Sequence, residues 1–402
     1  MPPQKTVVVL GGSLGGLAVT HRLLKYTLPH EPDLKVILVS KVSRRAIQHP
    51  PRRSRLTLPQ NSHFYWAIAS VRAVIPRVVQ DEELLQPIAP GLAQYPPGSV
   101  EFVLGAATGL DPLAKTVRVS TAAADGERSI AYDYLVVATG ADAAEPRMPW
   151  KAAGTYDELI ASLHATAARI GAASHVVVAG GGPTGVEVAA EIKYEFPAKT
   201  VVLLNAGAEL VGGDSTAGCI ERELGKLGVD VRKSVRADKV DAGDGDGDGD
   251  GDGGKTRVML SSGEELLTDL YLPTTGLVPN TAFLPADFLN ERRYVDVDEY
   301  MRVRAAQNVW AIGDVVSKPR ASYMNTDAHA AGVAKNIGLV LQGKDQQAVK
   351  DPPVDIFICT TGRGRGAGRF GPIPIPSLVV WAIKGRTLGM ERTPKYVNGT
   401  MW

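Results

Sequence analysis

The 402 residues carry 44 Lys and Arg against 43 Asp and Glu, a formal charge of +1, with 44% hydrophobic and only 6% aromatic residues. That length makes room for two or three domains, and the near-zero charge excludes a bulk field for nucleic acid or an anionic membrane. The two cysteines, Cys219 and Cys359, exclude a disulfide scaffold and suit a reducing, cytoplasmic setting, and no apolar run reaches bilayer-spanning length.

A first strand is expected over residues 6–10, leaving no room before it for a signal or transit peptide, and Pro2 excludes N-myristoylation. The turn Gly11-Gly12-Ser13-Leu14-Gly15-Gly16 follows, with a helix over 16–26 behind it. This is a dinucleotide signature: the glycines let backbone approach a pyrophosphate, and the helix N-terminus presents free N–H groups to it. Ser13 replaces the second glycine and is small enough to keep the turn. A second strand over 35–40 ends in Ser40, where an Asp or Glu would ordinarily bind the adenosine ribose; a hydroxyl can do so less strongly.

Residues 42–60 (VSRRAIQHPPRRSRLTLPQ) hold five arginines, no acid and no periodicity. Strands over 100–104 and 116–120 form a small meander, and 132–137 is an apolar strand whose end, Ala138-Thr139-Gly140, lies beside a nucleotide. Pro146, Pro149 and Gly154 punctuate a crossing into a second domain, followed by a helix over 162–170 and a strand over 175–179. There the signature recurs as Gly180-Gly181-Gly182-Pro183-Thr184-Gly185-Val186-Glu187, so two nucleotides are held in one protein. The strand over 200–204 ends in Asn205-Ala206-Gly207, with neither an acid for a 2′-hydroxyl nor an arginine for a 2′-phosphate, so NADH and NADPH both stay open.

The Gly-Asp repeat at 244–254 lacks EF-hand spacing and the terminal glutamate, and reads as a hairpin loop between strands over 235–240 and 257–260. A strand from Leu270 runs to Thr275-Gly276 and is followed by Pro279-Asn280; residues 308–315 form a buried strand tipped by Gly313-Asp314; 327–340 is a helix. The final fifty residues hold a strand at 357–360, a Gly/Arg run at 362–369 and an apolar stretch at 373–383. Pro374 and Pro376 exclude a long amphipathic anchor there, and, with one of the two glycine turns read as holding a flavin and the other a nicotinamide, the stretch is expected to pack under that flavin, with at most weak membrane contact.

With these segments in this order, the chain resembles the two-dinucleotide-binding-domain flavoproteins of the pyridine nucleotide-disulfide oxidoreductase superfamily. It is most similar to the apoptosis-inducing-factor-like, ferroptosis-suppressor-like group. The closer likeness rests on residues 182–187, on His63-Phe64-Tyr65-Trp66 through Ser70-Val71-Arg72-Ala73, and on Trp381-Ala382-Ile383-Lys384-Gly385-Arg386.

The resemblance implies an α/β fold of two Rossmann-like domains plus a small C-terminal α+β domain. The FAD-binding domain would be 1–145 with 277–350, the NAD(P)H-binding domain 146–276 and the C-terminal domain 351–402. It places Gly11, Gly12, Ser13, Leu14, Gly15, Gly16, Ser40, Arg72, Ala107, Ala138, Thr139, Gly140, Gly313 and Asp314 around FAD. It places Gly181, Gly182, Pro183, Thr184, Gly185, Glu187, Asn205, Thr275 and Gly276 around NADH or NADPH, with Glu187 and Lys384 beside the reacting rings.

Hydride chemistry of this kind belongs largely to the cofactors, which agrees with the lack of a nucleophilic triad or metal-ligand spacing in the sequence. His63, His175 and His329 read as structural, with the flavin edge open to the first and last. The missing cysteine pair excludes a dithiol relay and leaves a quinone-like small molecule as the leading acceptor. A specialised small-molecule substrate, or a DNA-binding death-effector role through the two basic segments, are the alternatives. The oligomeric state is open.

Residues 42–60 read as translated intron. Val42-Ser43 can be encoded by the splice donor GTGAGT, Leu56-Thr57 by a branch-site sequence and Gln60 by the acceptor CAG, and the piece keeps the frame. Its removal would take the formal charge from +1 to −4. A variant lacking it should fold and bind FAD; transcript sequencing decides its origin, and a folded deletion that loses FAD makes the loop functional instead.

Overall fold

The computed structural model describes residues 3–41, 63–121, 126–152, 154–241, 254–317 and 322–402. The basic segment 42–60 lies outside them, as does the Gly-Asp repeat but for its last glycine.

Runs of β-branched residues with no polar alternation demand burial on both faces, the mark of parallel strands between helices. Lys5–Leu10 obeys this: Val7, Val8 and Val9 are all 0% exposed. It sits mid-sheet, parallel to Leu34–Ser40 on one side and Tyr134–Val137 on the other. The seven-stranded sheet runs Val309–Ala311, Tyr134–Val137, Lys5–Leu10, Leu34–Ser40, Val100–Asp111, Thr116–Thr121 and Glu127–Ala131, its last two strands antiparallel. The return of Val309–Ala311 beside Tyr134–Val137 brings Gly313-Asp314 to the sheet edge that carries the first glycine turn.

The second sheet is wholly parallel: Asp230–Lys233, Thr200–Asn205, His175–Ala179 and Leu270–Pro273. Its helix Pro183–Glu195 starts just after the second glycine turn, with Pro183 pre-setting its first turn. A three-stranded antiparallel sheet, Ala237–Asp241, Thr256–Leu260 and Glu265–Thr268, flanks it.

The C-terminal residues divide their contacts. Ile356–Thr360, Gly366–Phe370 and Ile373–Ile375 form an antiparallel sheet against Pro183–Glu195. Thr393–Val397 instead returns to the first helix, Leu14–Arg22, where His21 bonds the Val397 carbonyl (3.1 Å) and Lys25 the Gly399 carbonyl (2.6 Å). Burial pushes the His21 imidazole down to about 4, so it holds this contact uncharged.

Two expectations for this region change. The apolar stretch does not pack under the cleft: Ile373 is 64% and Leu378 72% exposed, and within Ser377–Val380 and Trp381–Gly385 only Val380 and Gly385 are buried. Pro376 ends a short strand, Ile373–Ile375, and the helical residues 377–385 that follow turn most of their apolar side chains outward. The Gly/Arg run is not a free basic surface either. Arg363 pairs with Glu195, Arg365 with Glu223, and Arg369 with Asp214 and Asp355, which clamps the hairpin to its neighbours.

Arg365 hydrogen-bonds Glu223 and holds its carboxyl down at about 2, against an ordinary 4.5. A depressed carboxylate stabilises the fold above its unfolded pKa, and that contribution is lost as pH falls through the folded value. The protection of the Gly366–Phe370 amides, taken relative to the intrinsic exchange rate at each pH, should therefore fall between pH 4.5 and 2. Glu223→Gln should flatten that dependence; unchanged acid lability in the variant refutes the assignment.

Candidate active site

Both glycine turns solve one steric problem. Gly11 and Gly180 have φ of +111° and +123°, open to glycine at little strain. A Cβ on Gly16 would overlap the Gly11 carbonyl oxygen, and a Cβ on Gly185 the Gly180 carbonyl oxygen. The helix N-terminus is thus drawn onto the strand end in both, leaving a backbone cradle of the shape a pyrophosphate requires. Both turns therefore present the same backbone shape.

The cradles open into two joined cavities of about 250 and 490 Å³, which share Ser13, Tyr65, Ala138, Thr139, Ala152 and Asn280. The first runs along Gly11, Gly12, Ser40 and Ala107. The second reaches from Leu14, Gly15 and Gly140 past Gly313 and Asp314 to Gly182, Pro183, Thr184, Glu187, Gly276 and Lys384. The two strand-end motifs that flank it are zipped together. Thr139 Oγ1 donates to the Asn280 carbonyl (2.8 Å), and Asn280 donates its side-chain amide to the Thr139 carbonyl (3.0 Å) and its N–H to the Gly140 carbonyl (3.0 Å).

Six expected contacts do not line these cavities. Gly16, Gly181, Gly185 and Thr275 stand behind the walls they shape. Asn205 turns back on its own loop, donating to the carbonyls of Gly207 (2.7 Å) and Glu209 (3.0 Å). Arg72, expected near the flavin, is 3% exposed and bonds Glu191 and the carbonyls of Gly385 and Arg386. Of the histidines, His63 lines the first cavity and packs its ring tilted at 39° against Tyr156 (centroids 4.4 Å apart), His329 pairs with Asp351 (2.8 Å) and His175 bonds Thr268 (2.9 Å).

Charge enters the cavities in pairs. Lys151 bonds Asp314 at 2.5 Å, and Lys41 bonds Asp142 at 3.1 Å. At the junction of the two signatures, Lys384 Nζ donates to Glu187 Oε1 at 2.6 Å and to the Ile358 carbonyl at 3.3 Å. The same Oε1 accepts from the Thr360 N–H (2.8 Å) and hydroxyl (3.0 Å). Burial acts most strongly and lowers the Lys384 pKa, but Glu187, through charge and hydrogen bond, together with Cys359 holds the ammonium above its usual range. Glu187 and Lys384 are 197 residues apart in sequence and meet only because the C-terminal sheet packs on Pro183–Glu195.

Sequence reasoning did not pick out Lys151, Trp150, Tyr323 and Thr326 as site residues; they carry no spacing signal and reach the cavity from connecting segments and the start of a helix. Both cysteines are free, and burial raises the Cys359 thiol well above its ordinary range.

A family model described as pyridine nucleotide-disulphide oxidoreductase matches residues 5–332. The chain belongs to that family. It is a flavoprotein oxidoreductase that uses FAD and NAD(P)H. It is 35% identical over 408 residues to "Oxidoreductase ptaL" of Pestalotiopsis fici, covering 99% of this chain and 100% of that one. It is 27% identical over 277 residues to ferroptosis suppressor protein 1 of Homo sapiens, covering 65% and 71%. Among solved structures, the sulfide:quinone oxidoreductase of Aquifex aeolicus shares the fold, with a TM-score of 0.72 at 18% identity over 98% of this chain and 92% of that one. Among the described residues no helix is long and apolar enough to cross a membrane.

Asp314 lines the larger cavity beside Gly313. Asp314→Ala should lower FAD affinity about tenfold, the loss of one hydrogen bond to a charged group. Equilibrium dialysis measures it, and unchanged affinity removes Asp314 from the site.

Proposed function

We propose that the protein oxidises NADH or NADPH and reduces a quinone-like small molecule, the net exchange being NAD(P)H, a proton and acceptor to NAD(P)⁺ and reduced acceptor. The bound FAD would supply the two-electron relay between them. Residues 1–145 with 277–350 would hold FAD, 146–276 the nicotinamide dinucleotide, and 351–402 would close the site with Lys384.

The observation that carries this reading is the Glu187–Lys384 pair at the meeting point of two dinucleotide cradles, in a chain without a cysteine pair. Glu187 orients the ammonium, and Lys384 Nζ keeps a proton and a positive charge where negative charge develops on reduction. Trp150, Leu277 and Tyr323 give the acceptor an apolar wall. Two free cysteines fit a reducing compartment, and we assign the protein to the cytoplasm, at most touching a membrane surface.

Anaerobic addition of NADH and of NADPH should bleach the flavin, and a short-chain quinone should restore its colour faster than dioxygen does. Reoxidation by dioxygen at an equal or higher rate refutes the quinone assignment. A second reading, a specialised small molecule as acceptor, is favoured by full-length similarity to a relative named only as an oxidoreductase. A substrate panel that outcompetes every quinone would establish it.

A further inference from the structure

The ion pair of Arg72 and Glu191 lines neither cavity, yet its side chains are only 4% and 1% exposed. Glu191 Oε1 accepts from Arg72 Nε (3.0 Å) and Nη2 (2.6 Å), while Oε2 has no hydrogen-bond partner and Arg363 Nε stands off at 4.0 Å. A buried pair with an unsatisfied oxygen is a poor device for stability, because desolvating two charges offsets their attraction.

Its connections point elsewhere. Arg72 spends its other donors on the carbonyls of Arg386 (Nη1, 3.1 Å) and Gly385 (Nη2, 2.9 Å), the two residues after Lys384. Glu191 lies one helical turn beyond Glu187 on Pro183–Glu195. Three parts of the chain therefore meet at one guanidinium: Ser70–Ala73 beside the first cradle, the helix of the second cradle, and the C-terminal turn that bears Lys384. Only a planar fork of donors reaches a carboxylate and two carbonyls at once; an ammonium does not.

We propose that Arg72, held by Glu191, is a positioning residue that fixes the turn at 384–386 and so sets the Lys384 ammonium against Glu187 in the cavity. The proposal rests on the flavin chemistry assigned to that cavity. Arg72 then acts through Lys384 and touches neither cofactor nor acceptor.

The test compares Arg72→Lys, Arg72→Met, Glu191→Gln, Lys384→Met and the Arg72→Met/Lys384→Met double variant of the FAD-loaded full chain. Glu191→Gln keeps volume and shape, which guards against misfolding. Arg72→Met should slow anaerobic bleaching by NADH or NADPH about ten- to hundredfold, the scale of a misplaced group. Glu191→Gln and Arg72→Lys should fall between it and the parent, with FAD retained.

In the double variant bleaching should be no slower than in Lys384→Met alone. The visible absorbance maximum should also shift equally in Arg72→Met and Lys384→Met, and no further in the double. Additive losses, parental rates in Arg72→Met, or FAD loss from Glu191→Gln each overturn the positioning role. A parent that holds FAD but is bleached by neither nicotinamide overturns the functional reading itself.

Discussion

Gly16→Val should yield a folded but colourless protein that FAD does not reconstitute. The added Cβ would overlap the Gly11 carbonyl oxygen, and Val9 Cγ1 stands only 3.4 Å away. Val7, Val8 and Val9 are fully buried in the middle of the sheet, so the strand cannot retreat. The helix must move outward instead, and the cradle opens. Overpacking a well-packed site costs about 1–3 kcal/mol and at times more; here the same displacement removes the pyrophosphate donors.

Gly185→Val is the matched control. Its Cβ would overlap the Gly180 carbonyl oxygen and stand 2.6 Å from Thr274 Oγ1. That variant should stay yellow, because the first cradle is untouched, yet resist bleaching by either nicotinamide. A yellow Gly16→Val protein, or a Gly185→Val protein bleached at the parental rate, refutes the division of the two cradles between cofactors.

Glu187→Ala should slow flavin reduction far more than it weakens FAD binding. The substitution removes the only carboxylate that Lys384 pairs with among the described residues, and leaves its ammonium 20% exposed. Stranding a buried charge costs about 3–5 kcal/mol, and the residual exposure places this site toward the lower end. In the parent, the raised pKa keeps the ammonium charged, and its stabilising effect is lost only as pH rises through the folded value. Without Glu187, the main opposition to burial is gone and the pKa moves down. The alkaline limb of the bleaching rate should therefore move to lower pH. An unchanged limb with unchanged rate removes the pair from the reaction.

What the sequence by itself determined were the features that depend on near neighbours in the chain. Both glycine turns are contiguous, and the steric demand of Gly16 on Gly11, or Gly185 on Gly180, acts across five residues. The strands Lys5–Leu10 and His175–Ala179 announce themselves because burial on both faces leaves no polar alternation. Residue type alone excluded a dithiol relay.

Only the tertiary structure decided which charges meet. Arg72 has the composition of a cofactor contact but faces Glu191, 119 residues away, because two helices from different sheets pack together at that point. The arginines of residues 362–369 look like an anion site until Glu195, Glu223 and Asp214 are folded against them. The stretch 373–383 looks like core by composition, but two prolines interrupt it, and most of its apolar side chains remain outside, Val380 excepted. Lys151 has no signal at all and reaches Asp314 across 163 residues. Ion pairing depends on distance in space through a low-dielectric interior, and sequence separation carries no information about that distance.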